Sequence, residues 1–148
     1  EQDRIDIAQA AAQQLREVGI DCTVEIPAQM DWGGQMACLI GWGSPFDADD
    51  HTYKVFGTDK GANYSGYSNA KVDEYLTLAR QTDDQNVRRE YYDKFQEELA
   101  NDPAFAFICY IDANYVATSK IVGIAKDTVL GHHGVGIFWN IHEWTISK

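Results

Sequence analysis

The sequence predicts an α/β fold in which helices flank a mixed sheet. Two stretches, 6–18 and 84–100, carry apolar residues at helical spacing, so each would bury one face. Two others, 36–42 and 104–111, are short and almost continuously apolar, which is typical of strands covered on both faces. Helices that alternate with buried strands along 148 residues favour one α/β domain with a single core.

The first predicted unit is a helix, a glycine and a strand. After the helix 6–18, Gly19 stands where helices commonly end in a left-handed residue. From 20 to 26 apolar and polar residues alternate, which predicts a half-buried strand, and Pro27 closes it.

A polar loop rich in glycine and tyrosine is predicted over 57–69, followed by a helix. Asn69 can cap that helix by accepting backbone hydrogen bonds from its first turn. The helical spacing predicts that Val72, Leu76 and Ala79 are buried.

The next helix, 84–100, has an apolar face with a repeat of four residues. This face comprises Val87, Tyr91, Phe95 and Leu99. Pro103 cannot continue the helix and ends it. Beyond residue 114 the pattern predicts short strand-like pieces broken by glycines.

Charge and composition exclude several classes of function. Twelve Lys and Arg against 23 Asp and Glu give a net charge of −11, which repels nucleic-acid phosphates and anionic membrane surfaces. No apolar run approaches the roughly 20 residues of a membrane-spanning helix. We therefore expect neither a nucleic-acid partner nor a membrane span.

The cysteines Cys22, Cys38 and Cys109 are widely spaced and odd in number. Without a C-x-x-C pair they predict neither a zinc knuckle nor a redox pair. Each has apolar neighbours, so we expect all three to be small apolar core residues.

The stretch 42–50, which begins at the last residue of the predicted strand 36–42, is the best candidate for a site. It contains Trp42, Gly43, Phe46 and Asp47, which would lie at the carboxyl edge of a sheet, where ligands bind in open α/β folds. An aromatic ring there can cover the apolar face of a ligand, and a carboxylate can hold an amine or a cation. The alternative is that Trp42 belongs to the core and Asp47 forms a turn.

Metal binding and catalysis have weaker support in the sequence. The acidic stretch 47–51 lacks the register of an EF-hand loop, and His132 and His133, being adjacent, would point to opposite faces of a strand. We therefore predict no metal, no cofactor and no catalytic residue. The rival hypothesis is a small metal-assisted hydrolase, which requires the following groups to converge: Asp47, Asp49, His51 and His132/His133.

Five segments spread over most of the chain carry a family resemblance: 8–26, 39–43, 63–76, 88–92 and 102–103. The third segment is the most specific, with an Asn, then Gly-Tyr-Ser-Asn and a Val-Asp helix start. Together and in this order they resemble the C-terminal lobe of the family 5 extracellular solute-binding proteins. These are the oligopeptide-, dipeptide- and nickel-binding components of ABC importers.

The resemblance implies a periplasmic-binding-protein-like (type II) fold of two lobes that close on a ligand. Residues 1–120 would supply one lobe, and 121–148 would return to the other. The implied partners are the missing N-terminal lobe and the permease subunits of an ABC importer. An extracytoplasmic location, periplasmic or at the cell surface, is also implied, often with a lipid anchor on the N-terminal part. In this chain we expect three rings to fold back or to pack on a partner: Phe138, Trp139 and Trp144.

The resemblance leaves the ligand open between a peptide-like molecule and a metal chelate. Peptide-binding members carry an Asp three residues after the strand-end Trp, where this chain has Pro45. The stretch from Trp42 to Asp47 resembles the nickel-type members instead, which makes Trp42 and Phe46 pocket candidates. The histidine that those members use on a later loop has no match near Lys60.

Overall fold

A computed structural model describes residues 2–30, 37–43, 47–112, 114–125 and 136–147 of the chain. The chain divides into two compact units, 1–41 and 42–148. The described elements, in chain order, are helices α1 (Gln2–Glu17), α2 (Asp49–Phe56), α3 (Ala70–Arg80) and α4 (Gln85–Asn101), strand β1 (Ile121–Val122), a 3-10 helix (Gly136–Glu143) and strand β2 (Thr145–Ile146). Within the described ranges, no helix is both long enough and apolar enough to cross a bilayer.

The first unit is built around α1, which ends in a Schellman motif. The N–H of Ile20 donates to the carbonyl of Leu15 (2.9 Å), and the N–H of Gly19 donates to that of Arg16 (3.0 Å). Gly19 has a φ of +88°, a left-handed conformation that is free of strain only without a Cβ. The predicted helix and its glycine end are confirmed, although the helix begins earlier than residue 6.

The second unit has its core between α3 and α4. Four side chains form it, none more than 7% exposed: Val72, Leu76, Phe95 and Leu99. Half-buried residues pack around them: Tyr53, Phe56, Tyr67, Tyr75, Tyr92 and Ala104. Ala79 is also fully buried, so the face predicted for α3 is confirmed. On α4 the buried part of the predicted face is its C-terminal half, because Val87 is 37% exposed.

Both helices of this pair begin with a side-chain cap. Asn69 Oδ1 accepts hydrogen bonds from the N–H groups of Lys71 (3.0 Å) and Val72 (3.3 Å), as the sequence predicts. Asp84 Oδ1 caps α4 in the same way, at 2.8 and 3.2 Å. The caps satisfy backbone donors that the first turn of a helix leaves unpaired.

The described strands are fewer than the sequence predicts. β1 and β2 pair antiparallel, with Ile121 opposite Ile146 and Val122 opposite Thr145. The stretches predicted as strands over 20–26 and 104–111, and the described part of 36–42, form no strand ladder. A strand requires the backbone of a neighbour, and no described segment supplies one to these stretches.

These unpaired stretches leave apolar side chains on the surface. Tyr110 is fully exposed, and Phe107 and Ile26 are 68% and 67% exposed. Cys38 and Cys109 are exposed as well, so the prediction of core cysteines is wrong for these two. Nothing in the described residues covers the stretches that carry them. Cys22 is half-buried, and all three thiols are free.

The C-terminal part of the second unit is organised around Asn140, which is only 2% exposed. Its amide nitrogen donates to the carbonyl of Gly123 (2.8 Å) and to Glu143 Oε2 (3.0 Å). Its oxygen accepts from the indole N–H of Trp144 (2.9 Å). Trp144 also packs on Phe138, with ring centroids 5.7 Å apart.

Two of the three rings expected to fold back or to pack on a partner are largely open. Phe138 is 55% exposed and Trp139 is 43% exposed, whereas Trp144 is half-buried. Residues 121–148 belong to the same compact unit as α2, α3 and α4 in this chain. Their return to the other lobe of an intact protein stays a prediction.

Candidate ligand-binding site

Trp42 lies in a cluster of three rings at the start of the second unit. Its indole is nearly parallel to the ring of Tyr64, with centroids 6.2 Å apart and an interplanar angle of 9°. The imidazole of His51 meets the indole at 70°, with centroids 5.5 Å apart. We call these three residues the aromatic cluster. Trp42 remains 36% exposed and Tyr64 45% exposed, so the cluster presents ring surface to solvent.

The loop that carries Tyr64 is held by the side chain of Asn63. Its amide nitrogen donates to the carbonyls of Gly57 (2.9 Å) and Tyr67 (2.7 Å). Its oxygen accepts from the N–H of Tyr67 (3.1 Å) and the hydroxyl of Ser65 (3.1 Å). Four hydrogen bonds from one side chain thus close the loop on both sides of Tyr64 and fix its position.

The same loop is tied to α3 by Asp73 and to α4 by Asn69. Asp73 accepts from the N–H (2.8 Å) and the hydroxyl (2.6 Å) of Thr58. Asn69 donates its amide hydrogens to Asp102 (2.9 Å) and Glu98 (3.3 Å). The most specific stretch of the resemblance, 63–76, therefore contains mainly residues that shape the loop, with Tyr64 as the one that reaches the aromatic cluster.

His51 is brought to Trp42 by α2, a helix that the sequence analysis did not predict. Its Nδ1 lies 3.3 Å from a carboxylate oxygen of Asp50, without hydrogen-bond geometry. Lys54, one turn further along, pairs with the same carboxylate at 3.1 Å. The imidazole therefore lies close to both a carboxylate and the indole of Trp42.

The carboxylate of Asp47 accepts hydrogen bonds from other groups of the chain. Its two oxygens accept from the guanidinium of Arg88 at 2.9 and 3.2 Å, a bidentate pair, and Oδ1 also accepts from the N–H of Asp49 (2.8 Å). The hydrogen bonds from Arg88 hold the pKa of Asp47 below its usual value of 3.8, and the backbone N–H adds to this. The carboxylate raises the pKa of Arg88 further above its usual range, so only Asp47 titrates at accessible pH.

A groove of about 330 Å³ lies beside this ion pair. It is lined by Asp47, Asp49, Ala79, Arg80, Thr82 and Arg88. Arg80 pairs with Asp49 at 3.2 Å, so each charged side chain that lines the groove has a partner of opposite charge within the same lining. The acids and arginines that line this groove therefore neutralise one another.

The groups required for a hydrolase do not converge in the part of the chain that the structure describes. Asp49 and Asp47 face arginines, and no set of three His, Cys, Asp or Glu side chains among the described residues could hold a metal ion. His132 and His133 lie outside the described residues.

The predicted site residues have different outcomes. Trp42 lies in the aromatic cluster, and Gly43 next to it is half-buried. Asp47 faces Arg88, while Phe46 lies outside the described residues.

Sequence reasoning did not single out Tyr64 or Arg88, and it considered His51 only for the rival hydrolase. Tyr64 lies in the most specific stretch of the resemblance, which is a signal that could have singled it out. No sequence pattern links Arg88 to Asp47, which precedes it by 41 residues.

Comparisons with known proteins include two curated relatives and a solved structure. No family model matches the chain. Oligopeptide-binding protein AppA of Bacillus subtilis (strain 168) is 24% identical over 98% of this chain, which covers 27% of AppA. Protein XP55 of Streptomyces lividans is 30% identical over 82% of this chain, which covers 24% of XP55. The crystal structure of NikZ from Campylobacter jejuni in complex with Ni(L-His) aligns with a TM-score of 0.74 and 35% identity. That alignment covers 95% of this chain and 30% of NikZ.

The likeness to NikZ confirms the predicted fold class, an α/β lobe of the type II periplasmic-binding fold. AppA is by name a binding protein, which supports the prediction that the chain is not an enzyme. The chain spans less than a third of the length of each of these relatives.

Proposed function

The chain belongs to the family 5 extracellular solute-binding proteins, as part of their C-terminal lobe, and on this premise we propose that it forms one wall of a ligand-binding cleft. The ligand is captured outside the cytoplasm and delivered to the permease subunits of an ABC importer. The other wall is supplied by the N-terminal lobe of the family's fold.

The observation that carries this proposal is the partly exposed stack of Trp42 on Tyr64. A ring that is stacked on a second ring and also contacts the imidazole of His51 has restricted freedom, so little ordering entropy is lost when a ligand covers it. Indole and phenol surfaces bury large areas and tolerate polar ligands at their edges. We also propose Gly43 and Phe46 as ligand-binding residues.

The proposed ligand is peptide-like or a metal chelate. AppA is named for oligopeptide binding, and NikZ holds Ni(L-His). The net charge of −11 favours ligands that carry positive charge, such as a peptide amine or a metal ion. Pro45, at the position of the peptide-binding Asp of the family, favours the chelate.

The proposed mechanism is capture by closure of two lobes. Contacts on both lobes stabilise the closed form, and the importer recognises that form. This chain alone offers half of the contacts, so its affinity is low. A ligand with a dissociation constant of about 1 μM that loses about half of its binding free energy falls to about 1 mM.

The test is an NMR titration of this chain with two probes: nickel chloride with excess L-histidine, and trialanine. We expect one of them to shift the indole signal of Trp42 saturably at millimolar concentration, and Trp42→Ala to abolish binding. Trp139→Ala is the matched control, because Trp139 is similarly exposed but lies outside the aromatic cluster.

Two results would overturn the proposal. One is equal loss of binding in Trp42→Ala and Trp139→Ala, which would remove the aromatic cluster from the site. The other is submicromolar binding of either probe to this chain alone, because a cleft with one wall cannot supply that affinity. Calorimetry on the wild-type chain measures the second quantity directly.

A further inference from the structure

Two arginine–aspartate pairs connect the start of α2 to the other helices of the second unit. Arg88, on α4, binds Asp47 through both nitrogens of its guanidinium fork, at 2.9 and 3.2 Å. Arg80, the last residue of α3, pairs with Asp49 at 3.2 Å. Arg88 also donates from Nε to the carbonyl of Ala79 (3.3 Å). We call the four charged residues the arginine clamp.

Arg80 contacts α2 at two positions, one turn apart. Besides its contact with Asp49, its guanidinium lies over the ring of Tyr53, 4.0 Å from the centroid. Asp49 and Tyr53 are four residues apart and share one face of the helix. Arg80 therefore fixes both the position of α2 and its rotation about its own axis.

α2 depends on such contacts because it has little stability of its own. It has eight residues, far fewer than an isolated helix requires, and its N-cap Ala48 makes no side-chain cap. The capping function falls to Asp47, which accepts from the N–H of Asp49 while it is held by Arg88. Of its side chains only Val55 is buried.

We propose that Arg80 and Arg88 are positioning residues for the ligand-binding surface. They act through α2, which carries His51 into contact with the indole of Trp42. Neither arginine is required to touch the ligand. Asp47, first predicted as a ligand-binding residue, acts within the clamp. This inference rests on the proposed function, because it takes the aromatic cluster to be the ligand-binding surface.

The role is expected to be local. Arg80 and Asp47 are about half exposed, and exposed ion pairs contribute little to global stability. The core between α3 and α4 consists of apolar side chains and does not include the clamp. Loss of one arginine should therefore change α2 and the aromatic cluster while the α3–α4 core stays folded.

The experiment compares Arg80→Gln, Arg88→Gln and Arg88→Lys with Arg89→Gln. Arg89 is the neighbouring exposed arginine on α4, so its replacement removes the same charge and leaves the clamp intact. NMR of the ligand-free chain records the indole signal of Trp42, the imidazole signals of His51 and the backbone amides of α3 and α4. Titration with nickel chloride and L-histidine then measures the affinity.

In the two clamp variants we expect the Trp42 and His51 signals to move and the α3 and α4 amides to stay. Affinity for the nickel–histidine probe should fall roughly two- to thirtyfold, the range for coupling through intermediate residues. Arg88→Lys should behave like Arg88→Gln, because an ammonium cannot replace the two-pronged contact. Arg89→Gln should leave all of these quantities unchanged.

Ring signals that stay in place in both clamp variants would overturn the inference and leave the proposed function standing. Loss of the α3 and α4 amide dispersion would also overturn it, because the arginines would then support the whole unit. Ring signals that move without any change in affinity would overturn the proposed function of the aromatic cluster and, with it, the role of the clamp in ligand binding.

Discussion

Replacing Asn69 with Ala removes one side chain that makes four hydrogen bonds. Its oxygen caps α3 through the N–H groups of Lys71 and Val72. Its amide nitrogen donates to Asp102 at 2.9 Å and to Glu98 at 3.3 Å, both at the end of α4. The substitution therefore uncaps one helix and unties it from the other.

The expected loss is the sum of these two effects. Removing an N-cap costs about 1 kcal/mol. The two hydrogen bonds to partly exposed carboxylates contribute about 1 kcal/mol together. The free energy of unfolding should fall by about 2 kcal/mol, which shifts the urea midpoint by about 1 M for a slope of about 2 kcal/mol/M.

Urea denaturation followed by circular dichroism measures this loss, and two variants serve as controls. Asn69→Ser keeps an oxygen for the cap but loses the amide donors, so we expect it to cost about half as much. Asn86→Ala, at an exposed position in the first turn of α4, should stay within about 0.5 kcal/mol of the wild type. If Asn69→Ala is no more destabilising than Asn86→Ala, the account of this loop is wrong.

Two further predictions concern Asp47 and Asn140. Because its pKa is lowered in the folded state, the ion pair of Asp47 with Arg88 stabilises the protein fully above pH 3.8, and that stabilisation is lost as pH falls through the lowered value. The difference in unfolding free energy between the wild type and Asp47→Asn should thus be constant above about pH 4 and shrink below it. A difference that grows on acidification would contradict this sign. Asn140→Ala leaves the indole N–H of Trp144 and the carbonyl of Gly123 without partners at a cost of about 1–3 kcal/mol. The N–H of Ser147, next to β2, donates to the carbonyl of Lys120, next to β1 (2.8 Å), and its hydrogen exchange should accelerate in this variant. Asn114→Ala, at an exposed position, should leave that exchange unchanged.

The parts of the fold that follow from local chemistry could be predicted from the sequence. Val72, Leu76 and Ala79 are buried as their spacing predicts, and Asn69 caps the helix they belong to. Gly19 ends α1 in a left-handed conformation. In each case the residues that determine the structure lie within one or two helical turns of the position predicted.

The parts that depend on distant residues could not be predicted. α2 is short and begins with residues that also favour turns, and it is held by Arg80 and Arg88, which follow it by more than 20 positions. The apolar run 104–111 has the composition of a buried strand, but composition does not specify which segment will pair with it. In the described residues it has no such neighbour.

The same distinction applies to the candidate site. Trp42 was predicted from its place after an apolar run, and it lies in the aromatic cluster. Tyr64 and His51 reach it from a loop and a helix whose positions are set by Asn63 and by the arginine clamp. The pairing of Asp47 with Arg88 could not be predicted either, because the two residues are 41 positions apart in the sequence.

The most direct test of the central claim is an isotope-filtered NOE measurement between trialanine and the labelled chain. Trialanine is used at about 10 mM, which suits a dissociation constant near 1 mM. The nickel–histidine probe, which broadens nearby signals through its unpaired electrons, replaces it if trialanine does not bind. We expect NOEs, or broadening, at the rings of Trp42 and Tyr64 and none at Trp139. Contacts confined to Trp139, or to the exposed rings Phe107 and Tyr110, would contradict the account.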